Sequence, residues 1–99
     1  MVKHIVFWNL KDEAEGHKKS ENAAMMKEKL EGLVGKVPGL LSAFVGVNFT
    51  EGGYDLCLYS ELSDKNALAV YQGHPEHLKV KEFVHKVTCA RAACDSEAL

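Results

Sequence analysis

Val2-Lys3-His4-Ile5-Val6-Phe7-Trp8-Asn9-Leu10 is rich in β-branched and aromatic residues and reads as a strand. Alternation puts His4, Val6, Trp8 and Leu10 on one face, and Lys3, Ile5, Phe7 and Asn9 on the other. Neither face is plainly polar. Such a strand calls for cover on both sides, one from helices and the other from something else.

Working outward, residues 11–19 are charged, contain Gly16 and read as a connection. A helix is predicted from about Ser20, its N-cap, with an apolar stripe of Ala23, Met26, Leu30, Leu33, Val34 and Val37 at helical spacing. Val37-Pro38-Gly39 is the expected stop. Leu41 to Phe49 and Tyr54 to Glu61 read as an antiparallel hairpin around the turn Thr50-Glu51-Gly52-Gly53. Ser63 can cap a second helix beginning near Asp64 and running to Gly73. The segment from Pro75 carries Val80, Phe83, Val84 and Val87 on one stripe, and residues 88–95 read as a last strand of small residues, with a frayed tail from Ser96 to Leu99.

The order is β-α-β-β-α-β, the ferredoxin-like arrangement, in a single α+β domain over residues 1–99. Both helices are expected on one face of a four-stranded antiparallel sheet. The other face then needs cover, because the first strand leaves Val6 and Trp8 beside His4. A second subunit placing its sheet against this one supplies it and makes a dimeric α+β barrel, with a cavity between subunits or inside each. A chain of 99 residues has a high surface-to-volume ratio and gains from such an assembly.

The formal charge of -2 gives no reason to expect nucleic acid, and no apolar run approaches a membrane span. The N-terminus has no signal-peptide cleavage pattern. Cys57, Cys89 and Cys94 are odd in number and lack C-x-x-C spacing, which points to reduced cytosolic thiols packed in sheets and a cytoplasmic protein. No nucleotide fingerprint, P-loop or nucleophile elbow is present, so no cofactor is expected.

Tyr71-Gln72-Gly73-His74-Pro75-Glu76-His77 sets a phenol and two imidazoles around a forced helix break. Proline pushes His74 out of helical geometry and suits the first turn of a new helix. His77 then lies near a helix N-terminus, where the partial positive charge favours neutral imidazole.

Val2-Lys3-His4-Ile5-Val6-Phe7, Val37-Pro38-Gly39, the hairpin into Tyr54-Asp55-Leu56, and Tyr71-x-x-His74-Pro75-x-His77 with Val80 and Phe83 together resemble the stress-responsive A/B barrel (Dabb) family over residues 2–95. The resemblance implies a homodimeric barrel of ferredoxin-like protomers. Members include stress-induced plant proteins and a plant polyketide cyclase that forms olivetolic acid by aldol chemistry. By motif, the catalytic histidine of that cyclase falls on His77 and its partner tyrosine on Tyr71, while His4 and His74 match further pocket histidines. Its first helix lines the pocket with bulky aromatics where this chain has Met26 and Leu30, so the same substrate is not implied.

Two readings of the site stand side by side. In one, His77 is a general base and Tyr71 donates to a developing enolate oxygen, in a cavity lined by His4, Val6, Trp8, Met26, Leu30 and His74 that takes a small carbonyl or phenolic ligand. In the other, His77 and Tyr71 bond the backbone around the break, His4 is a satisfied core residue and His74 caps the new helix. The protein is then a stress-associated structural or interaction protein, its cavity filled by Trp8, Met26 and Leu30. A metal held by His4, His74 and His77 lacks a carboxylate aimed at the group and is not expected. Lys79, Lys81 and Lys86 read as a solvated helix face, and His17 and His85 as solvent-facing.

Overall fold

The computed structural model describes residues 1–98. β1 (Val2–Leu10) is an inner strand of a four-stranded antiparallel sheet whose other members are β4 (Leu40–Val47), β5 (Leu56–Leu62) and β6 (Thr88–Glu97), in the order β4-β5-β1-β6. A two-residue hairpin, β2 (Glu13–Ala14) and β3 (His17–Lys18), precedes α1 (Lys19–Glu31), and α2 (Lys65–Gly73) and α3 (Pro75–Val87) occupy the second helical connection. The order is the ferredoxin-like one, with the helices on one face of the sheet. Among the described residues no helix is long and apolar enough to cross a membrane.

Burial resolves the two faces of β1. Val2, His4, Val6, Trp8 and Leu10 are all buried, so theirs is the face the helices cover. This corrects the expectation that Val6 and Trp8 mark the uncovered side. The open face carries Ile5 and Phe7 of β1, with Phe44 and Tyr59 in register beside Ile5. Phe7 is 40% exposed and Phe44 is 55% exposed. Periodicity could not tell the faces apart because both are apolar.

Several boundaries also move. The connection after β1 pairs Glu13 with Lys18 and Ala14 with His17, and buried Asn22 ties it to α1 by donating from Nδ2 to the Ala14 carbonyl at 3.0 Å. The N-cap of α1 is Lys18, not Ser20, and the Lys18 N–H donates to the Glu21 carboxylate at 3.0 Å. The helix ends at Glu31, well before Pro38. Leu33 and Val37 still reach the core from the turns that follow, whereas Val34 is 41% exposed. Asp64, not Ser63, caps α2 by accepting from the Ala67 N–H at 2.8 Å. Ser96 and Glu97 are not frayed but pair with Lys3 and Val2, while Leu99 lies outside the described residues. Cys89 and Cys94 are exposed rather than packed.

Gly39 is fixed by two constraints. Its φ of +83° is a left-handed conformation, and an added Cβ would sit 2.5 Å from the Ala67 Cβ. Close passage of this turn against α2 brings Leu40 into the sheet and holds the start of α2.

Candidate functional site

The break predicted at His74 is present and its cause is visible. His74 is extended (φ -68°, ψ 134°), Pro75 opens α3, and the Glu76 N–H donates to His74 Nδ1 at 3.1 Å. The imidazole thus satisfies an amide that the helix start leaves without a partner. His77 follows in the first turn of α3, while Tyr71 lies in the last turn of α2. The kink between the helices lays these two rings against each other, with centroids 4.1 Å apart and planes at 26°. Tyr71 also meets His4 of β1 edge-on, at 5.9 Å between centroids. His4 is hydrogen-bonded through Nδ1 to Asp95 Oδ1, directly opposite it on β6.

These three rings line a cavity of about 430 Å³ inside the protomer, between α3 and the β1–β6 half of the sheet. Val6, Trp8 and Leu58 contribute sheet walls and Leu30 of α1 and Val84 of α3 the helical ones. Lys81, His85 and Arg91 line it too and are exposed, so they mark its mouth.

The inner end is poorly hydrated, and its titration follows from that. Burial pushes the Tyr71 phenol up to about 12, so it remains a proton donor across the physiological range. His77 is pushed below its ordinary value, chiefly by burial. The Lys81 ammonium and His4 push the same way, and the backbone carbonyls of Gln72 and Tyr71 partly oppose them. The His77 Nδ1 is buried without a hydrogen-bond partner among the described residues, which leaves Nε2 as the nitrogen with access to the cavity. A neutral imidazole and a protonated phenol therefore stand side by side, the first able to accept a proton and the second able to donate a hydrogen bond. Among the described residues no three His, Cys, Asp or Glu side chains are grouped to hold a metal ion.

Comparison with family models matches residues 2–98 to the Stress Responsive A/B Barrel Domain. The chain belongs to the Dabb family. Among solved structures, it is similar to a dimeric protein of unknown function and ferredoxin-like fold from Bacteroides fragilis, at 31% identity and a TM-score of 0.86, covering 98% of this chain and 95% of that one. A dimeric ferredoxin-like protein of unknown function from Thermobifida fusca is 19% identical with a TM-score of 0.83, over 98% of this chain and 90% of the other. A Dabb family protein with a ferredoxin-like fold from Mesorhizobium loti is 18% identical with a TM-score of 0.77, over 99% and 96%. The comparison with curated proteins finds no match.

In this Dabb protein the residues expected at the site divide into two groups. His4, Val6, Trp8, Leu30, Tyr71 and His77 meet around one cavity. Met26 does not line it: it is fully buried in the core, one turn before Leu30 on α1. His74 does not line it either, its Nδ1 being committed to the helix start. Lys81 and His85 are exposed, as the solvent-facing expectation has it, and they also follow His77 at intervals of four on α3 and so share its side of the helix. Asp95 and Arg91 were missed. Alternation along the last strand places both on the face of His4 and Trp8, and strand register alone would have paired Asp95 with His4 and Arg91 with Trp8.

Proposed function

We propose that this Dabb protein is a homodimer whose protomer cavity binds a small carbonyl or phenolic compound and carries acid–base chemistry on it. His77 Nε2 takes a proton from the carbon next to a carbonyl. The electron pair of that C–H bond becomes the carbon–carbon double bond, the carbonyl π pair moves to oxygen, and the Tyr71 hydroxyl donates a hydrogen bond to the enolate oxygen that results. Return of the proton to carbon completes an exchange; alternatively the enolate carbon attacks a second carbonyl, and the proton held by His77 passes to the alkoxide that forms, which regenerates the neutral imidazole. The observation that carries this reading is the stacked Tyr71–His77 pair at the inner end of an open cavity. The competing reading, a stress-associated structural protein without turnover, expects Trp8, Met26 and Leu30 to fill that space. The free volume of about 430 Å³ beside Trp8 and Leu30 speaks against it.

The homodimer is supported by the exposed aromatic face of the sheet and by the dimeric state of the Bacteroides and Thermobifida proteins. A monomer gains nothing from leaving Phe7 and Phe44 in water, and burying them against a second sheet is favourable.

The test combines binding and exchange. Imidazole signals of His77 are followed by NMR as phenols and β-keto compounds are added, and deuterium uptake from D₂O into the activated carbon of a 1,3-diketone is timed. The expected result is a His77 shift and an exchange rate that His77→Ala abolishes and Tyr71→Phe lowers. If no compound moves His77, and exchange is the same with and without the imidazole, the cavity is not a catalytic site.

A further inference from the structure

We infer that the mouth of this cavity is an anion subsite formed by Lys81 and Arg91, and that the compound held beside Tyr71 and His77 carries a carboxylate or phosphate group. The inference rests on the cavity reading above and names the class of ligand for it.

Two cations reach the cavity from different elements. Lys81 lies one helical turn beyond His77 on α3, close enough for its ammonium to disfavour protonation of that imidazole. Arg91 enters from β6, where it stands directly opposite Trp8 and so shares the sheet face of His4 and Val6. The lining contains no aspartate or glutamate, although acidic residues outnumber basic ones in the chain, 14 to 12. Asp95, the nearest acid on that face of β6, is engaged by His4. Several other helical lysines are paired, Lys79 with Glu76 at 3.7 Å, Lys27 with Glu31 at 2.6 Å and Lys19 with Asp55 at 3.4 Å, and those without a carboxylate partner among the described residues, Lys29 and Lys86, do not line the cavity. Among the described residues neither Lys81 nor Arg91 has a carboxylate partner. A planar guanidinium and a mobile ammonium that converge on one opening without an internal counter-ion suit an anionic head group, which the guanidinium can grip with two parallel hydrogen bonds. A head group held there directs the rest of the molecule inward, past Trp8, toward the Tyr71–His77 pair.

The test uses three probes of one shape with the full chain: 4-hydroxybenzoate, its neutral amide, and 4-hydroxyphenyl phosphate. Affinity is read by calorimetry and placement by the His77 imidazole signals. The expected result is that an anion binds about fivefold more tightly than the amide or better, as solvated ion pairs permit, and that added salt narrows the gap. Whichever anion is preferred identifies the head group as carboxylate or phosphate. Lys81→Gln and Arg91→Gln each reduce the preference, while Lys79→Gln, on the same helix but outside the cavity, leaves it unchanged. If the amide moves His77 and binds as tightly as the anions, or if both cavity variants keep the wild-type preference, the anion subsite is wrong and the cavity reading stands. If none of the three binds or moves His77, both readings fall.

Discussion

Replacing Tyr71 by phenylalanine should remove a defined part of this protein's sensitivity to alkali. Tyr71 is 2% exposed, and burial raises its phenol from 10.0 to about 12. The native state therefore disfavours phenolate. As pH rises through 10, the unfolded chain loses the proton first, so stability that is intact below pH 10 drains away until the native phenol also ionises. The rise from 10.0 to about 12, at about 1.36 kcal/mol per pH unit, makes the whole effect about 2.7 kcal/mol, and about half of it, near 1.4 kcal/mol, is lost by pH 11. Urea unfolding of the wild type and of Tyr71→Phe at pH 9 and pH 11 measures this directly. Lysine and cysteine titrations are common to both proteins and cancel in the difference. The wild type should lose about 1.4 kcal/mol more than the variant between the two pH values. If both lose the same amount, the phenol is already hydrated, the case for a dry inner end fails, and so does the case for Tyr71 as a strong hydrogen-bond donor to an enolate.

His77 gives the acid-side counterpart. Burial holds its native value below the ordinary 6.5, so below that pH the unfolded chain takes up a proton that the native state resists. Stability should fall between pH 7 and pH 5, and less steeply in His77→Gln; equal slopes in urea midpoints would mean that the imidazole protonates freely in the fold. Met26 is fully buried but does not line the cavity, so Met26→Ala should cost about 2–5 kcal/mol in urea unfolding without altering the NMR response of His77 to ligands. A change in that response at unchanged fold would place Met26 at the site after all. Phe44→Lys puts a charge on the open sheet face and should convert the proposed homodimer to monomer in sedimentation experiments. An unchanged mass would mean that the subunits meet elsewhere.

Much of the architecture was legible because its signals are local. Alternation in residues 2–10, the hairpin around Gly52 and the His74-Pro75 break each depend on near neighbours, and each is where the sequence places it. The end of α1 was not legible. The apolar stripe runs on through Leu33 and Val37, because the turns after Glu31 deliver those side chains to the same core that the helix serves. The site was half legible for a related reason. His4, Tyr71 and His77 carry recognisable chemistry, whereas Lys81 and Arg91 look like ordinary surface cations until strand pairing and the turn of α3 bring them to one opening. His74 shows the reverse: a residue with catalytic chemistry that the helix start consumes.

The two faces of β1 connect assembly to chemistry. Buried His4, Val6 and Trp8 build the floor of the cavity, and Ile5 and Phe7, one residue out of phase, turn to the open face. A slip of one residue in the pairing of β1 would exchange these sets, removing His4 from Tyr71 and turning Trp8 to the open face. The register is held at the far end of the strand, where the Leu10 N–H donates to Asp55 Oδ2 at 2.8 Å and the Asp55 N–H donates to the Trp8 carbonyl at 3.0 Å. Asp55 lines neither the cavity at Tyr71 nor the groove beside Phe44 on the outer face. It nonetheless fixes the phase of the strand on which both depend, so the candidate site and the candidate dimer surface are set by one alignment of the backbone.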